Sequence, residues 1–84
     1  MTEADTRAVL VELFRKELGD PRLEPQPDDL EYNIPGFDSG KKVLLILAVE
    51  ERFAIRLRSR EIDALRRFDD WVTLIHRHRS AANR

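Results

Sequence analysis

The sequence predicts an all-α protein, a bundle of four helices, three long and one short, with a long loop between the first two. Three segments repeat apolar residues at the three- and four-residue spacing of a helix. All four prolines lie between residues 21 and 35, so residues that interrupt helices are confined to one segment. A chain of 84 residues suits one domain with one modest core, and we assign residues 1–84 to it.

The first helix is predicted over residues 4–18. Its apolar positions recur at i, i+3, i+4 and i+8, namely Leu10, Leu13, Phe14 and Leu18. Gly19 suits the left-handed position that ends a helix, and Asp20-Pro21 prevents the helix from continuing.

Residues 19–37 are predicted to form an extended loop, because prolines at this density disfavour a strand. A loop of this length in a small domain usually has a function. Asp28 or Asp29 is placed to cap a single helical turn within it. We expect five apolar side chains to fasten the loop to the helices: Leu23, Leu30, Tyr32, Ile34 and Phe37.

The second helix is predicted over residues 39–53, where strong helix formers follow Asp38-Ser39 without an interrupting Gly or Pro after the first turn. Ser39 then stands exposed at the helix N-terminus. Unpaired N–H groups and the positive end of the helix dipole favour an anion at this position. The serine is therefore a candidate attachment point for a phosphoester.

Two faces of the second helix are apolar. At roughly 100° per residue, one face carries the predicted core residues Leu45, Ile46, Val49 and Phe53. Val43, Leu44 and Leu47 point elsewhere, toward the side of Glu50 or Glu51. This second set indicates either a surface for a partner or tethered ligand, or a central helix packed on both sides.

A short and a long helix complete the prediction. Residues 54–58 form an extended connection that buries Ile55 or Leu57, and Ser59 caps a short helix over residues 60–65. Asp69 or Asp70 caps the last helix, with Phe68 placed as a hydrophobic staple. The inward side chains are Ile62, Leu65, Phe68, Val72 and Ile75. Trp71 is predicted to lie beside this inward face of the last helix.

Several function classes are disfavoured by composition. The absence of cysteine excludes disulfides, thiolate metal sites and cysteine nucleophiles. No apolar run approaches the roughly 18 residues of a membrane span, and the acidic N-terminus does not resemble a signal peptide, so we expect a soluble cytoplasmic protein. His76 and His78 point to different helix faces, so neither a metal pair nor a Ser-His relay is predicted.

Charge is unevenly distributed along the chain. Residues 1–40 carry four basic and ten acidic side chains, and residues 41–84 carry eleven and six. This polarity either steers a charged partner or is neutralised across the fold. A nucleic-acid interface is disfavoured because the domain is not basic overall and acids alternate with its arginines, Arg52, Arg56, Arg58, Arg60, Arg66 and Arg67.

Asp38-Ser39-Gly40 after a long loop, followed by Glu50-Glu51-Arg52-Phe53 and a short third helix, resembles the acyl carrier protein family, including peptidyl-type carriers. The resemblance covers about residues 4–78. It implies that Ser39 carries 4′-phosphopantetheine, with Asp38 as its flanking acid, and that the thiol of this arm holds an acyl, aminoacyl or polyketide group as a thioester.

The same resemblance implies a free-standing carrier rather than an enzyme, in a system such as fatty acid or polyketide biosynthesis. Its partners would be a phosphopantetheinyl transferase and the enzymes that load and accept the acyl group. We expect a monomer that does not bind nucleic acid and does not insert into a membrane. An unmodified carrier-like interaction module is the alternative, favoured by Gly40 in place of the leucine usual after the serine.

The predicted partner surface departs from the family pattern. Lys41 and Lys42 replace acidic or neutral residues, so we expect a less basic, more apolar partner, although these lysines are also placed to pair with the arm's phosphate. The surface comprises Gly40, Lys41, Lys42, Val43, Leu44, Leu47, Glu50 and Glu51.

Trp71 occupies a position where the family usually has a small residue near the cleft that shelters a fatty chain. The possible cargo cleft comprises Ile62, Leu65 and Trp71. An indole buried there would fill the cleft and keep the cargo outside, or restrict it to short or polar groups. The alternative is that Trp71 packs at the surface edge.

Overall fold

The computed structural model describes residues 2–82, so Met1, Asn83 and Arg84 of the predicted 1–84 domain lie outside the described residues. It contains four α-helices, α1 (Glu3–Leu18), α2 (Ser39–Phe53), α3 (Ser59–Asp63) and α4 (Phe68–Ala82). A 3-10 turn spans Glu31–Asn33. Among residues 2–82, extended pairing is limited to one bridge between Leu30 and Arg67. The predicted all-α bundle of three long helices and one short helix is confirmed.

Local sequence determines both ends of α1. The hydroxyl of Thr2 accepts a hydrogen bond from Asp5 N, and the carboxylate of Asp5 accepts one from Thr2 N, which forms a capping box. Gly19 has φ 68°, the left-handed conformation that favours glycine. The helix begins one residue before the predicted start and ends where predicted.

The core forms where α1 packs against α2 and α4. Phe14 lies at its centre, with its ring edge-on to Phe68 at 5.1 Å and to Trp71 at 5.3 Å between centroids. The predicted inward residues of α2 are all buried: Leu45, Ile46, Val49 and Phe53. Such aromatic contacts stabilise a small core beyond the area that they bury.

The long loop is held by only part of the predicted apolar set. Leu23, Ile34 and Phe37 are buried, whereas Leu30 and Tyr32 are exposed. The loop is instead fastened through its backbone, because Glu31 N donates to Arg66 O and Phe68 N donates to Asp29 O, both at 2.9 Å. Backbone pairing turns the Leu30 side chain outward.

The helical turn within the loop follows Asp29 rather than being capped by it. Asp29 Oδ2 accepts a hydrogen bond from Gln26 N at 2.8 Å and closes a turn. The single turn of 3-10 helix comes afterwards, at Glu31–Asn33, and has no side-chain cap. The expectation that Asp28 or Asp29 caps it is wrong.

The predicted cap of α3 is also wrong, and at α4 one of the two predicted residues, Asp70, binds the free N–H groups from inside the helix. α3 includes Ser59 and is preceded by Arg58, whose N–H donates to Glu61 Oε1 at 2.9 Å. α4 begins at Phe68, and Asp70 Oδ2 accepts the N–H groups of Arg66 and Arg67 at 2.9 Å each. In both helices a carboxylate three residues after the cap reaches back to the free N–H, so no Ser or Asp is needed at the cap itself.

α2 is joined to α3 by a connection that begins at Ala54, which has φ 55°. Ile55 is buried, as predicted, and Leu57 is half-buried. Glu50 Oε2 accepts a hydrogen bond from Leu57 N at 2.9 Å, so a side chain of α2 holds the connection. No helix among residues 2–82 is long and apolar enough to cross a membrane.

Candidate functional site

Ser39 is the first residue of α2 and is exposed to solvent. Asp38 precedes it as the N-cap in an extended conformation, with φ −152° and ψ −179°. Asp38 Oδ1 accepts a hydrogen bond from Lys41 N at 2.8 Å, and Asp38 O accepts one from Lys42 N at 2.9 Å. The cap begins the helix at Ser39 and keeps the serine at the molecular surface.

The loop approaches this cap through Gly36. Its φ of 87° lies in the left-handed region, and a Cβ built on Gly36 would lie 3.4 Å from Leu18 O. The next residue, Phe37, is buried and stacks on Phe14 at 6.3 Å between ring centroids. The end of α1 and the core therefore position the start of α2 from the side that precedes Ser39.

The start of α2 suits a phosphoester. Within residues 2–82, the N–H groups of Ser39 and Gly40 form no hydrogen bond to the protein. Unpaired N–H groups at the positive end of a helix dipole favour an anion. The carboxylate of Asp38 is occupied by Lys41 N, and Lys41 is half-buried within the first turn of the helix.

Part of the predicted partner surface faces solvent. Val43, Leu44 and Leu47 are 58%, 45% and 56% exposed, and we call these three residues the apolar stripe. Gly40 and Glu51 are also exposed. Core packing of this second apolar set, the other interpretation of the sequence, does not occur within the described chain.

Two members of that predicted surface instead point into the protein. Glu50 is half-buried and engaged by Leu57 N. The side chain of Lys42 is 16% exposed, and its Nζ lies 3.0 Å from Glu31 Oε1. An outward position for Lys42, available to a partner or to the arm's phosphate, is not found, because the loop supplies a buried carboxylate for its ammonium group.

Glu31 has no role in the sequence-based prediction. It is 3% exposed, and besides Lys42 it accepts a hydrogen bond from Trp71 Nε1, 2.7 Å from Glu31 Oε2. We call Glu31, Lys42 and Trp71 the buried triad. The only signal in the sequence is an acidic residue flanked by Leu30 and Tyr32 in the loop, which does not identify its partners.

The residues of the predicted cargo cleft all belong to the core or pack against it, and of the three only Leu65 lines the grooves described below. Trp71 is 1% exposed, so the interpretation that it packs at the surface edge is wrong. Ile62 is half-buried against the core, and Leu65 lines two grooves. The first, which we call the loop groove, has about 500 Å³ and is lined by residues 30–33, Lys42, Asp63, Leu65 and Arg66. The second, of about 360 Å³, lies between α3 and α4.

His78 pairs with an acidic side chain of α3. His78 Nε2 lies 3.0 and 3.1 Å from the carboxylate oxygens of Glu61, which joins α4 to α3. The N–H of Arg58 is the main cause of a lowered pKa at Glu61, and His78 adds to the effect. No cluster of three or more His, Cys, Asp or Glu side chains suited to a metal occurs within the described range.

Comparison with known proteins agrees with this geometry. No protein-family model and no curated protein matches the sequence. Solved structures do: the fold is that of the acyl carrier proteins, so the sequence-based resemblance is confirmed at the level of the fold.

Two acyl carrier protein structures share this fold over nearly the whole chain. The crystal structure of an acyl carrier protein from Thermotoga maritima has a TM-score of 0.82 and 22% identity, over 95% of this chain and 93% of that one. The solution structure of a holo acyl carrier protein from Geobacter metallireducens has a TM-score of 0.84 and 21% identity, over 92% of this chain and 88% of that one.

Proposed function

We propose that this protein is a carrier that holds an acyl, aminoacyl or polyketide group as a thioester on a 4′-phosphopantetheine arm attached to Ser39. The main support is the position of Ser39, an exposed hydroxyl at the first residue of a capped helix in an acyl-carrier-protein fold. A carrier needs no catalytic base of its own, because a transferase supplies the chemistry of attachment.

The residues at the start of α2 fit a phosphate diester. The free N–H groups of Ser39 and Gly40 are available to a phosphate oxygen, and the nearest cationic side chain in sequence, Lys41, lies two residues after Ser39. During attachment the hydroxyl oxygen of Ser39 bonds to the phosphorus that carries pantetheine, and its proton passes to a base on the transferase. The pyrophosphate bond of coenzyme A breaks, and adenosine 3′,5′-bisphosphate leaves. Once attached, the arm supplies a thiol on which the cargo is held.

Asp38 has a positioning role in this proposal. Its carboxylate fixes Lys41 N, and its carbonyl fixes Lys42 N, so the first turn of α2 is ordered before any enzyme arrives. An ordered first turn presents Ser39 in one orientation, which lowers the cost of docking it into a transferase. Asp38 itself remains exposed and is available to the same partner.

The apolar stripe supports docking of partner enzymes beside Ser39. Val43, Leu44 and Leu47 follow the serine along α2, between Lys41 and Glu51. We assign this surface to the phosphopantetheinyl transferase and to the enzymes that load and accept the cargo. A complementary partner surface would be mainly apolar, since the stripe carries little net charge of its own.

A second candidate function follows from Gly40. A glycine directly after Ser39 exposes backbone and removes a side chain from the surface that a transferase would contact. In this alternative the protein is an unmodified interaction module that uses the same apolar stripe. Both candidates describe a protein without catalytic residues of its own.

Modification of Ser39 separates the two candidates. The purified protein is incubated with a broad-specificity phosphopantetheinyl transferase and coenzyme A, and its intact mass is measured. We expect a gain of one phosphopantetheine group that is lost in Ser39→Ala. Ser59→Ala is the matched control, because Ser59 is also an exposed first residue of a helix. An unchanged mass of the unmutated protein supports the interaction module.

The localisation, oligomeric state and binding partners of a carrier can be proposed as well. We propose a cytoplasmic monomer that does not bind nucleic acid and does not insert into a membrane. Light scattering after size-exclusion chromatography tests the monomer. Retention on heparin or on duplex DNA, with a steep dependence on salt, would contradict the absence of a nucleic-acid partner.

A further inference from the structure

The buried triad connects three separate parts of the chain. Glu31 lies in the loop, Lys42 in α2 and Trp71 in α4, and both carboxylate oxygens of Glu31 are occupied, by Lys42 Nζ at 3.0 Å and Trp71 Nε1 at 2.7 Å. The N–H of Glu31 donates to Arg66 O at 2.9 Å, which ties the same residue to the segment after α3. The triad is therefore held from the loop, α2 and α4 at once.

The loop groove is lined by two members of the buried triad and not by the third, Trp71. Glu31 and Lys42 both line this groove, with Asp63 and Arg66 nearby. Lys42 is three residues after Ser39, so both lie on one side of α2 within one helical turn. An arm on Ser39 would thus start beside a groove of about 500 Å³ that contains four charged side chains.

The space behind Glu31 is occupied by the Trp71 indole, which lines neither of the two grooves described above. The Trp71 indole is 1% exposed and packs edge-on to Phe14 at 5.3 Å between centroids. A chain that entered past Glu31 would have to displace Lys42 and leave a buried carboxylate without its cation, which is strongly unfavourable. The groove between α3 and α4 is no better suited, because Arg60, Glu61, Asp70 and Arg77 line it.

We propose that the buried triad determines the cargo class: it closes the interior to a fatty chain, and the loop groove receives a short acyl group with hydrogen-bonding substituents. This inference rests on the proposed function, since it concerns the cargo on the Ser39 arm. Polar substituents would meet the Asn33 amide, the Asp63 carboxylate and the Arg66 guanidinium, since all three residues line the loop groove. Arg66 Nη1 itself donates to Asp63 O at 2.6 Å.

The test compares two cargoes on the same arm. Transferase and either octanoyl- or 3-hydroxybutyryl-coenzyme A load the protein, and intact mass confirms loading before any other measurement, so failure to load counts against the proposed function alone. Trp71 is the only tryptophan, which makes its indole N–H resonance and fluorescence a specific probe of the triad.

We expect octanoyl loading to leave the Trp71 resonance where it lies with the bare arm. We expect 3-hydroxybutyryl loading to shift the backbone amides of residues 30–33 and 63–66. A Trp71 shift with octanoyl, or unmoved groove amides with the short polar cargo, would overturn the inference.

A double variant tests the role of the charges. Glu31→Gln with Lys42→Met removes both charges and retains an oxygen acceptor for Trp71 Nε1, so the fold should be preserved. In this variant octanoyl loading should move the Trp71 resonance. The matched control, Lys16→Met with Glu17→Gln on α1, removes the same charges elsewhere and should behave like the unmutated protein.

The same comparison works without loading. Free octanoyl-pantetheine is titrated into each unmodified protein while Trp71 emission is recorded. We expect a saturable change in the double variant and none in the unmutated protein or the control. Equal responses from all three proteins would overturn the inference whether or not Ser39 is modified.

Discussion

Trp71 Nε1 donates a 2.7 Å hydrogen bond to Glu31 Oε2, across 40 residues of sequence and inside the core. Trp71 is 1% exposed and Glu31 is 3% exposed, so neither group has access to bulk water that would replace its partner. The bond joins the long loop to the last helix. Through this hydrogen bond, the loop segment that precedes α2 becomes part of the folded core.

Trp71→Phe should therefore lower the free energy of unfolding by more than the smaller side-chain volume alone would. The buried carboxylate of Glu31 would lose one of its two donors, which costs about 1.5–3 kcal/mol. Each kcal/mol should lower the melting temperature by about 4–8 °C in a domain of this size. Tyr32→Phe is the control. Because Tyr32 is 64% exposed, this substitution should change the free energy of unfolding by no more than about 0.5 kcal/mol. Equal effects of the two substitutions would contradict a buried hydrogen bond.

Asp38→Ala should destabilise α2 at its first turn. The Asp38 side chain is the N-cap and accepts Lys41 N at 2.8 Å, and loss of such a cap costs about 0.5–2 kcal/mol. We also expect slower modification of Ser39, because the first turn would fray. Urea unfolding measures the first effect and the rate of mass gain the second. Asp28→Ala, an exposed acid in the loop, should change neither measurement.

Gly40→Ala should stabilise the protein. Gly40 lies in the first turn of α2, and a Cβ there would meet only Asp38 Oδ1, at 3.4 Å, which is an ordinary contact. Glycine within a helix costs roughly 0.5–1 kcal/mol relative to alanine, so a gain of that order is expected in urea unfolding. A loss of stability would show that the backbone at this position requires glycine.

Glu61 should make stability depend on pH in the acid range. Because the N–H of Arg58 and then His78 lower its pKa in the folded state, the folded protein favours the charged form more than the unfolded chain does. This contribution is fully present above the unfolded pKa, about 4.3, and is lost as the pH falls through the folded pKa. Glu61→Gln should lower the melting temperature at pH 7 and reduce its change between pH 5 and pH 3. An unchanged pH profile would exclude Glu61 as a source of this dependence.

Leu47→Ser should separate docking from folding. Leu47 is 56% exposed, so its replacement should change unfolding free energy by no more than about 0.5 kcal/mol. If the apolar stripe contacts a transferase, the rate of Ser39 modification should fall while the melting temperature does not. An unchanged rate with an unchanged melting temperature would place the docking surface elsewhere.

The sequence by itself determined the helices and the exposed serine. The boundaries of α1 and α2 follow from signals within a few residues of each end: Thr2 with Asp5, Gly19, and Asp38 before Ser39. The core face of α2 follows from helical periodicity, because positions four residues apart share a side wherever the helix packs. These features are local, so they can be predicted before any long-range contact is known.

Only the tertiary structure decided the surroundings of the serine. Lys42 looked like a surface cation and Glu31 like an ordinary loop acid, yet the fold buries them together across 11 residues and adds Trp71 from 40 residues away. Whether a charge is buried depends on which partner the fold brings next to it. That partner cannot be identified from the local sequence around either residue. The caps of α3 and α4 differ from the prediction for a local reason: Glu61, and Asp70 as one of the two expected residues, reach back three residues to a free N–H, so Ser59 and Asp69 are not needed there.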